Sequence, residues 1–191
     1  CDLPYVSRGG LKLEAALKAF SLSPRGAVAL DVGASSGGFT DCLLQNGATL
    51  VYAVDSGTGQ LAMELLEDAR VVSMEGYNAR YMQPSDFPQT PTFAVMDVSF
   101  ISQTLILPAL ASVLPPKSQI VTLIKPQFEV GRAHVGRGGI VRDEKARQAA
   151  IARVTDAAGL LGLDFRAVIT SPIRGGDGNV EYLAHFEKKG E

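Results

Sequence analysis

The 191-residue sequence contains no tryptophan, only two histidines and only two cysteines, Cys1 and Cys42. The cysteines form no C-x-x-C motif and have no histidine at metal-ligand spacing, so we expect free thiols, no metal site and a cytoplasmic protein. No apolar stretch approaches the ~20 residues that span a bilayer. The N-terminal residues also lack the basic and apolar segments of a secretory signal.

Neither sign of charge dominates, since the formal net charge is −2, with 20% charged and 46% hydrophobic residues. This balance excludes a globally basic nucleic-acid binder and favours one globular domain with a substantial core. Basic residues are nevertheless concentrated near the N-terminus and after residue 125. Each cluster is either solvated surface or a binding surface for an anionic partner. The clusters contain Arg8, Lys12, Lys18 and Arg25, and Arg132, Arg137, Arg142 and Lys145.

A glycine-rich turn is the strongest motif. The run ALDVGASSGGFT (29–40) leads from an apolar strand containing Asp31 through three glycines towards a helix. A second apolar run (50–54) then ends at Asp55. A strand, a glycine turn, a helix and a second strand ending in an acid form the adenosine-cofactor site of a doubly wound sheet.

The spacing of the glycines distinguishes between two types of cofactor-binding site. NAD sites use G-x-G-x-x-G to bring the backbone close to a pyrophosphate, whereas Gly33, Gly37 and Gly38 are spaced G-x-x-x-G-G. This turn suits S-adenosylmethionine (SAM), whose amino acid group glycine amides approach and Asp31 would help bind. Asp55 would then hydrogen-bond the ribose. We favour SAM over NAD; the alternative is an ordinary strand–turn–helix without a ligand.

Apolar strands alternate with helical segments along the chain, which is typical of a parallel sheet covered on both faces. The last two predicted strands are joined by RGGDGN (174–179), which is too short for a crossover helix, so this pair should be antiparallel. We therefore predict an α/β fold with a mostly parallel sheet and an antiparallel C-terminal strand. The predicted strands are 28–32, 50–54, 70–74, 93–97, 119–125, 165–173 and 181–187; the predicted helices are 10–20, one after Gly38, 60–66, 104–114 and 144–161.

Three charged residues stand at predicted strand ends: Asp97, Lys125 and Glu181. An unpaired lysine is costly to bury, so the two acids should compensate it. The group is either a structural ion pair or a site that orients a hydroxyl for methylation. In the second case Lys125 would either accept the hydroxyl proton or, as an ammonium, stabilise the developing negative charge.

Five motifs, in this order, resemble the TlyA (hemolysin A) family, whose members are similar to FtsJ-type ribosomal RNA 2′-O-ribose methyltransferases. FtsJ-type enzymes use a Lys-Asp-Lys-Glu tetrad, which the resemblance places at Lys12, Asp97, Lys125 and Glu181. It implies a Rossmann-like class I SAM-dependent methyltransferase that acts on ribosomal RNA or ribosomal subunits, with a cytidine 2′-OH as acceptor. The motifs are YVSRGGLKL (5–13), DVGASSGGFTD (31–41), MDVSF (96–100), LIKPQFE (123–129) and GNVEY (178–182).

The same resemblance implies which residues line the SAM pocket, with Asn78 near the adenine. Arg8 and two arginines of a glycine-rich loop, Arg132 and Arg137, are candidates for RNA phosphate contacts. Phe100 and Phe128 flank the crevice and would either stack a base or pack in the core. The implied cofactor-binding residues are Asp31, Gly33, Ser35, Gly37, Gly38, Phe39, Asp55, Asn78 and Asp97.

One departure from the family concerns the N-terminal region. Family members usually begin with an S4-type RNA-binding domain, and we expect residues 1–191 to form a single methyltransferase domain without it. Three other functions stay open: methylation of a small molecule or a protein, RNA binding without catalysis, and the membrane activity that the word hemolysin suggests. The sequence leaves the oligomeric state undetermined.

Overall fold

A computed structural model describes residues 3–190, so Cys1 lies outside the described residues. Cys42 is a buried free thiol. No helix in the described part of the chain is long and apolar enough to cross a membrane. The strands are β1 (Val28–Val32), β2 (Leu50–Val54), β3 (Val71–Met74), β4 (Phe93–Met96), β5 (Gln119–Ile124), β6 (Leu163–Thr170) and β7 (Tyr182–Lys188); the α-helices are α1 (Gly9–Ala19), α2 (Gly38–Gln45), α3 (Met63–Leu66), α4 (Leu107–Val113) and α5 (Glu144–Leu160).

The strands form one seven-stranded sheet in the order β3-β2-β1-β4-β5-β7-β6. Strands β1 to β5 pair in parallel, whereas β7 is antiparallel to both β5 and β6. The predicted α/β architecture with an antiparallel C-terminal strand is therefore confirmed. The strand order reverses between β1 and β4, the place where open α/β sheets bind ligands at their carboxyl ends.

Two apolar clusters cover the two faces of the sheet. Alternate residues of each strand point to opposite faces, so Leu30 belongs to a cluster that includes residues of α4 and α5. Its neighbour Ala29 belongs to the other cluster, which includes residues of α1 and α2. The sheet is thus buried between helices, as the continuous apolar strands predict.

Some predicted boundaries are wrong. The strand predicted at 165–173 covers Leu163–Thr170, because the Ser171 hydroxyl donates to the Ile173 carbonyl in a turn that ends the strand. The helix predicted at 104–114 begins as the 3-10 turn Gln103–Leu105, and α4 starts only at Leu107. The described residues also include five other 3-10 turns: Ala79–Tyr81, Pro84–Asp86, Pro126–Phe128, Arg132–His134 and Arg137–Gly139.

Candidate active site

The glycine turn between β1 and α2 is tied to the end of β2. The amide of Gly33 donates to the Val54 carbonyl at 2.8 Å. The Asp55 carboxylate accepts the Ser35 amide at 2.7 Å on one oxygen and the Gly57 amide at 2.8 Å on the other. Each oxygen keeps a further lone pair, so Asp55 braces the turn while remaining able to accept a ligand hydroxyl.

Two of the glycines are required by close approach as well as by backbone conformation. Gly33 has φ +83°, and a Cβ there would lie 2.1 Å from the carbonyl oxygen of Asp97. Gly37 has φ +104°, and a Cβ there would lie 2.2 Å from Leu65 Cδ1. A side chain at either position would therefore close or distort the turn.

Two clefts open at the carboxyl ends of the central strands. The larger cleft has a volume of about 410 Å³ and the smaller cleft about 140 Å³. Both are lined by Gly33, Ser35 and Asp97, so they adjoin at the glycine turn. The other predicted cofactor residues divide between them: Asp55 and Asn78 line the larger cleft, and Gly38 and Phe39 line the smaller cleft.

Asp31 and Gly37 line neither cleft, and both are buried. One Asp31 oxygen accepts the Thr40 hydroxyl at 2.7 Å, and the other has no hydrogen-bond partner. Burial raises the pKa of Asp31 to about 7, although the Thr40 hydrogen bond opposes the shift. Asp31 therefore carries an unsatisfied buried oxygen in β1, two residues before Gly33.

The four predicted tetrad residues form two ion pairs. Lys125 Nζ lies 2.5 Å from Asp97 Oδ1, and Lys12 Nζ lies 2.7 Å from Glu181 Oε1. Lys12 projects from α1, and its side chain is only 12% exposed, so it is not a solvated surface lysine. Sequence-distant segments thus bring two lysines and two acids to the carboxyl edge of the sheet.

The two pairs differ in burial. Glu181 is 3% exposed, and burial raises the pKa of its carboxyl, while the nearby Lys12 and Lys125 ammonium groups oppose that shift. Asp97 is 27% exposed and lines both clefts. The Lys12–Glu181 pair is therefore the more buried of the two, although Lys12 also lines the smaller cleft.

Sequence reasoning does not select two polar residues of this site. Ser99 accepts a hydrogen bond from Lys125 Nζ at 2.9 Å. Glu129 is buried and accepts the Ser102 hydroxyl at 2.5 Å and the Gln103 amide at 2.9 Å. Both residues lie in the quoted motifs, but only the fold shows that Glu129 joins the segment after β4 to the segment after β5.

Phe100 is the most exposed aromatic side chain near the clefts. It is 91% exposed and its φ is +64°, in the left-handed region. Its ring centroid lies 5.2 Å from that of the half-buried Phe128. Packing of Phe100 in the core is therefore wrong, and the strained backbone presents the ring to solvent at the rim of the larger cleft.

The three predicted RNA-contacting arginines, Arg8, Arg132 and Arg137, are all exposed. Arg8 precedes α1, and the other two lie in the 3-10 turns that follow β5.

Among the described residues, no group of three or more histidine, cysteine or acidic side chains is placed to hold a metal ion.

Comparison with known proteins places this site in a family. The FtsJ-like methyltransferase model matches residues 5–188. The candidate rRNA methyltransferase YqxC of Bacillus subtilis is 52% identical over 99% of this chain and 68% of its own length. The 16S/23S rRNA (cytidine-2′-O)-methyltransferase TlyA of Mycobacterium tuberculosis is 46% identical over 94% of this chain and 67% of its own length.

A solved structure gives the same result. A candidate hemolysin from Streptococcus thermophilus is 54% identical, with a TM-score of 0.96, over 99% of this chain and 69% of the solved chain. The predicted methyltransferase fold is confirmed, and the match to a methyltransferase family confirms SAM rather than NAD as the cofactor. The chain belongs to the FtsJ-like methyltransferase family.

Proposed function

We propose that this protein transfers a methyl group from SAM to a ribose 2′-OH of ribosomal RNA, at a cytidine. The observation that carries the proposal is the ion pair between Lys125 and Asp97, because Asp97 lines both of the adjoining clefts. The name of the M. tuberculosis relative, a cytidine-2′-O-methyltransferase of 16S and 23S rRNA, supports the acceptor. Such an acceptor also supports a cytoplasmic setting, where ribosomes are found.

The residues of the clefts fit SAM. The larger cleft combines apolar walls, including Val54 and Ile101, with the Asp55 carboxylate, a combination suited to an adenosine. The Gly33 turn leaves backbone space that a Cβ would fill. We propose that Asp55 holds the cofactor ribose and Asn78 the adenine side, while Gly33, Ser35, Gly38 and Phe39 border the methionine group.

The unpartnered Asp31 oxygen gives a further reason for this fit. Asp31 is buried two residues before Gly33 with one oxygen unsatisfied, and the Asp55 and Asp97 carboxylates lie near it. A site with three nearby acids favours a cationic ligand group, and SAM carries a sulfonium and an ammonium. When bound, SAM supplies an electrophilic methyl group for attack by an acceptor oxygen.

In the proposed mechanism Lys125 binds the acceptor hydroxyl. An ammonium has three donors; Lys125 donates one of them to Ser99 and forms an ion pair with Asp97. A remaining donor is then available to the 2′-oxygen, where it stabilises the negative charge that develops as the oxygen attacks. An ammonium cannot accept a proton, so the hydroxyl proton leaves to water as the oxygen–methyl bond forms. Asp97 and Ser99 fix the direction of the ammonium, and correct placement of the reacting atoms lowers the barrier further.

The Lys12–Glu181 pair supports this arrangement from the α1 side. The pair is largely buried, and the Glu181 carboxyl is influenced by both lysines and by Asp97. We propose that Glu181 holds Lys12 so that its positive charge faces the acceptor beside Lys125. Two ammonium groups then compensate the negative charge of the acceptor oxygen and the adjacent phosphate.

RNA binding would use the exposed basic and aromatic residues around the clefts. Arg8, Arg132 and Arg137 are proposed to contact phosphates, which makes binding sensitive to salt. The exposed ring of Phe100 is proposed to stack on an unpaired base at the rim of the larger cleft. These contacts position the strand but leave the identity of the modified nucleotide to the surrounding RNA structure.

The test is transfer of a labelled methyl group from SAM to purified ribosomal RNA and to ribosomal subunits. We expect methyl incorporation into RNA that falls steeply between low and high salt. We expect no incorporation into an oligonucleotide that lacks the 2′-hydroxyl at the acceptor ribose. Incorporation into the deoxy oligonucleotide would contradict a 2′-OH acceptor. Salt-independent incorporation would contradict the proposed phosphate contacts.

A second function is named by relatives that are called hemolysins. A liposome leakage assay tests it directly, with catalytically inactive Lys125→Ala protein as the matched control. Leakage by both proteins would establish a membrane activity independent of methyl transfer. We expect neither protein to release the liposome contents.

A further inference from the structure

Asn179 is a fully buried polar residue two positions before Glu181. Its side-chain amide donates to the Gly139 carbonyl at 2.9 Å, and its side-chain oxygen accepts the Val141 amide at 2.9 Å. Its own backbone amide donates to Asp177 Oδ1, and its carbonyl accepts the Gly175 amide. Every polar group of Asn179 is therefore bonded within the protein.

The partners of this side chain form a recognisable pattern. Gly139 and Val141 flank Ile140, so Asn179 pairs with the carbonyl of one residue and the amide of the second residue after it. A neighbouring β-strand would make the same two bonds. The Asn179 side chain therefore bonds to residues 139–141 as the backbone of an adjacent strand would. It holds the backbone of these residues against the connection between β6 and β7.

The segment fixed in this way ends the arginine loop, defined here as residues 131–142. Residues 131–139 of this loop are exposed apart from Val135, and they carry Arg132 and Arg137. Two further contacts lie at the same end: Arg142 donates to the Arg137 carbonyl at 3.1 Å, and Arg147 donates to the Val141 carbonyl at 3.3 Å. Asn179 is the buried member of this set and the one that belongs to the same connection as Glu181.

We propose that Asn179 is a positioning residue that fixes the arginine loop beside the Lys12–Glu181 pair, so that the loop meets the phosphates of the acceptor RNA. The functional half of this inference rests on the proposed RNA methylation. The structural half, that Asn179 orders the loop, does not. A buried carboxamide with both groups satisfied gives a loop one preferred conformation, and a preorganised loop binds its partner at lower entropic cost.

The first experiment measures loop order without using activity. Trypsin cleaves after exposed arginines once the surrounding backbone opens locally. We expect Asn179→Ala to be cleaved after Arg132 and Arg137 about tenfold faster than the unaltered protein, because two hydrogen bonds are lost. The matched control is Asn46→Ala, which removes a side-chain amide bonded to Cys42 at the end of α2. Equal cleavage rates in the two variants would overturn the proposal.

A second measurement keeps the inference testable if Asn179→Ala does not fold. In the unaltered protein, the Val141 amide, which donates to Asn179, should exchange its hydrogen at least tenfold more slowly than the amide of Arg142. Equal exchange of the two amides would mean that the Asn179 bond does not persist in solution, and the proposal would fall.

The functional half is tested by steady-state kinetics with ribosomal RNA. We expect Asn179→Ala to raise KM for RNA about tenfold and to leave the calorimetric SAM affinity within twofold of the unaltered protein. An unchanged KM in a variant whose loop is cleaved faster would overturn the positioning role. If the unaltered protein methylated no RNA, the proposed function would fail, while the protease and exchange results would still decide whether Asn179 orders the loop.

Discussion

Lys125 Nζ lies 2.5 Å from Asp97 Oδ1, and these residues directly follow the neighbouring parallel strands β5 and β4. Parallel neighbours place their carboxyl ends at one edge of the sheet, so two residues 28 positions apart meet there. The contact joins the segment that lines the cofactor clefts to the residue proposed to bind the acceptor.

Removal of the Lys125 ammonium should slow catalysis strongly without weakening SAM binding. We expect Lys125→Ala to reduce kcat by about 10²–10³-fold, because a preorganised donor to the reacting oxygen is lost. The SAM affinity, measured by calorimetry, should stay within about twofold. Lys18→Ala, which removes an exposed lysine of α1, is the matched control and should keep its activity. A Lys125→Ala variant with the unaltered kcat would contradict the mechanism.

Loss of Lys12 should destabilise the fold through Glu181. We expect Lys12→Met to lower the free energy of unfolding by about 3 kcal/mol, because it leaves a buried carboxylate without its partner. Burial already raises the pKa of Glu181. Removing the opposing ammonium makes ionisation of Glu181 costlier still, so the loss should be larger at pH 8 than at pH 5.

The double variant Lys12→Met, Glu181→Gln is the control for this experiment. The neutral amide removes the uncompensated charge, so urea unfolding should show stability recovered relative to Lys12→Met. Methyl transfer should stay reduced in both variants, because both lack the Lys12 charge proposed to face the acceptor. Equal stability of the single and double variants would show that the buried charge is not the cause.

Asp31 should make the stability depend on pH. Its pKa is about 7 in the folded protein against an ordinary value of 3.8, so the folded state holds a proton that the unfolded state has lost. Stability from this group is present below pH 3.8 and is lost as pH rises towards 7, in total about 4 kcal/mol. For Asp31→Asn, the free energy of unfolding measured with urea should not show this decline as pH rises. Asp156→Asn, at an exposed position of α5, should retain it; an unchanged profile in Asp31→Asn would contradict the assignment.

Asp55 should determine the cofactor affinity. We expect Asp55→Ala to weaken SAM binding at least tenfold, because the variant loses the proposed ribose contact and the two bonds that brace the turn. NADH should not bind the unaltered protein. Calorimetric titration measures both, with the exposed Glu67→Ala as control. Binding of NADH alone would overturn the cofactor assignment.

Phe100 should contribute to RNA binding but not to SAM binding or to thermal stability. We expect Phe100→Ala to raise the Kd for ribosomal RNA about tenfold, the usual effect of losing one stacked base. SAM affinity should not change, and the thermal midpoint should not fall, since the ring is 91% exposed. Phe165→Ala, on edge strand β6, is the matched control and should leave RNA binding intact. Equal RNA affinities of the two variants would refute base stacking.

The sequence predicts the parts of this molecule that depend on local pattern. The run 29–40 and Asp55 predict the turn, because strand ends and glycine spacing are local properties. The antiparallel pair follows from the shortness of residues 174–179. Lys12 illustrates the limit, since its spacing on α1 indicates a solvated surface position and only the family resemblance brings it to the site.

Contacts between distant segments could not be predicted from pattern. The bonds of Asn179 to residues 139–141 span about 40 positions and depend on how two loops meet. The same applies to Glu129, whose burial between the segments after β4 and β5 arises only in the folded chain. The exposure of Phe100 likewise depends on a left-handed backbone that its apolar side chain does not indicate.

The most direct test of the account is the chemical position of the transferred methyl group. Ribosomal RNA is incubated with SAM and the protein, digested to nucleosides and analysed by mass spectrometry. The account predicts 2′-O-methylcytidine with the unaltered protein and its formation about 10²–10³-fold more slowly with Lys125→Ala. A methyl group on a base, or 2′-O-methylcytidine formed equally by Lys125→Ala, would contradict it.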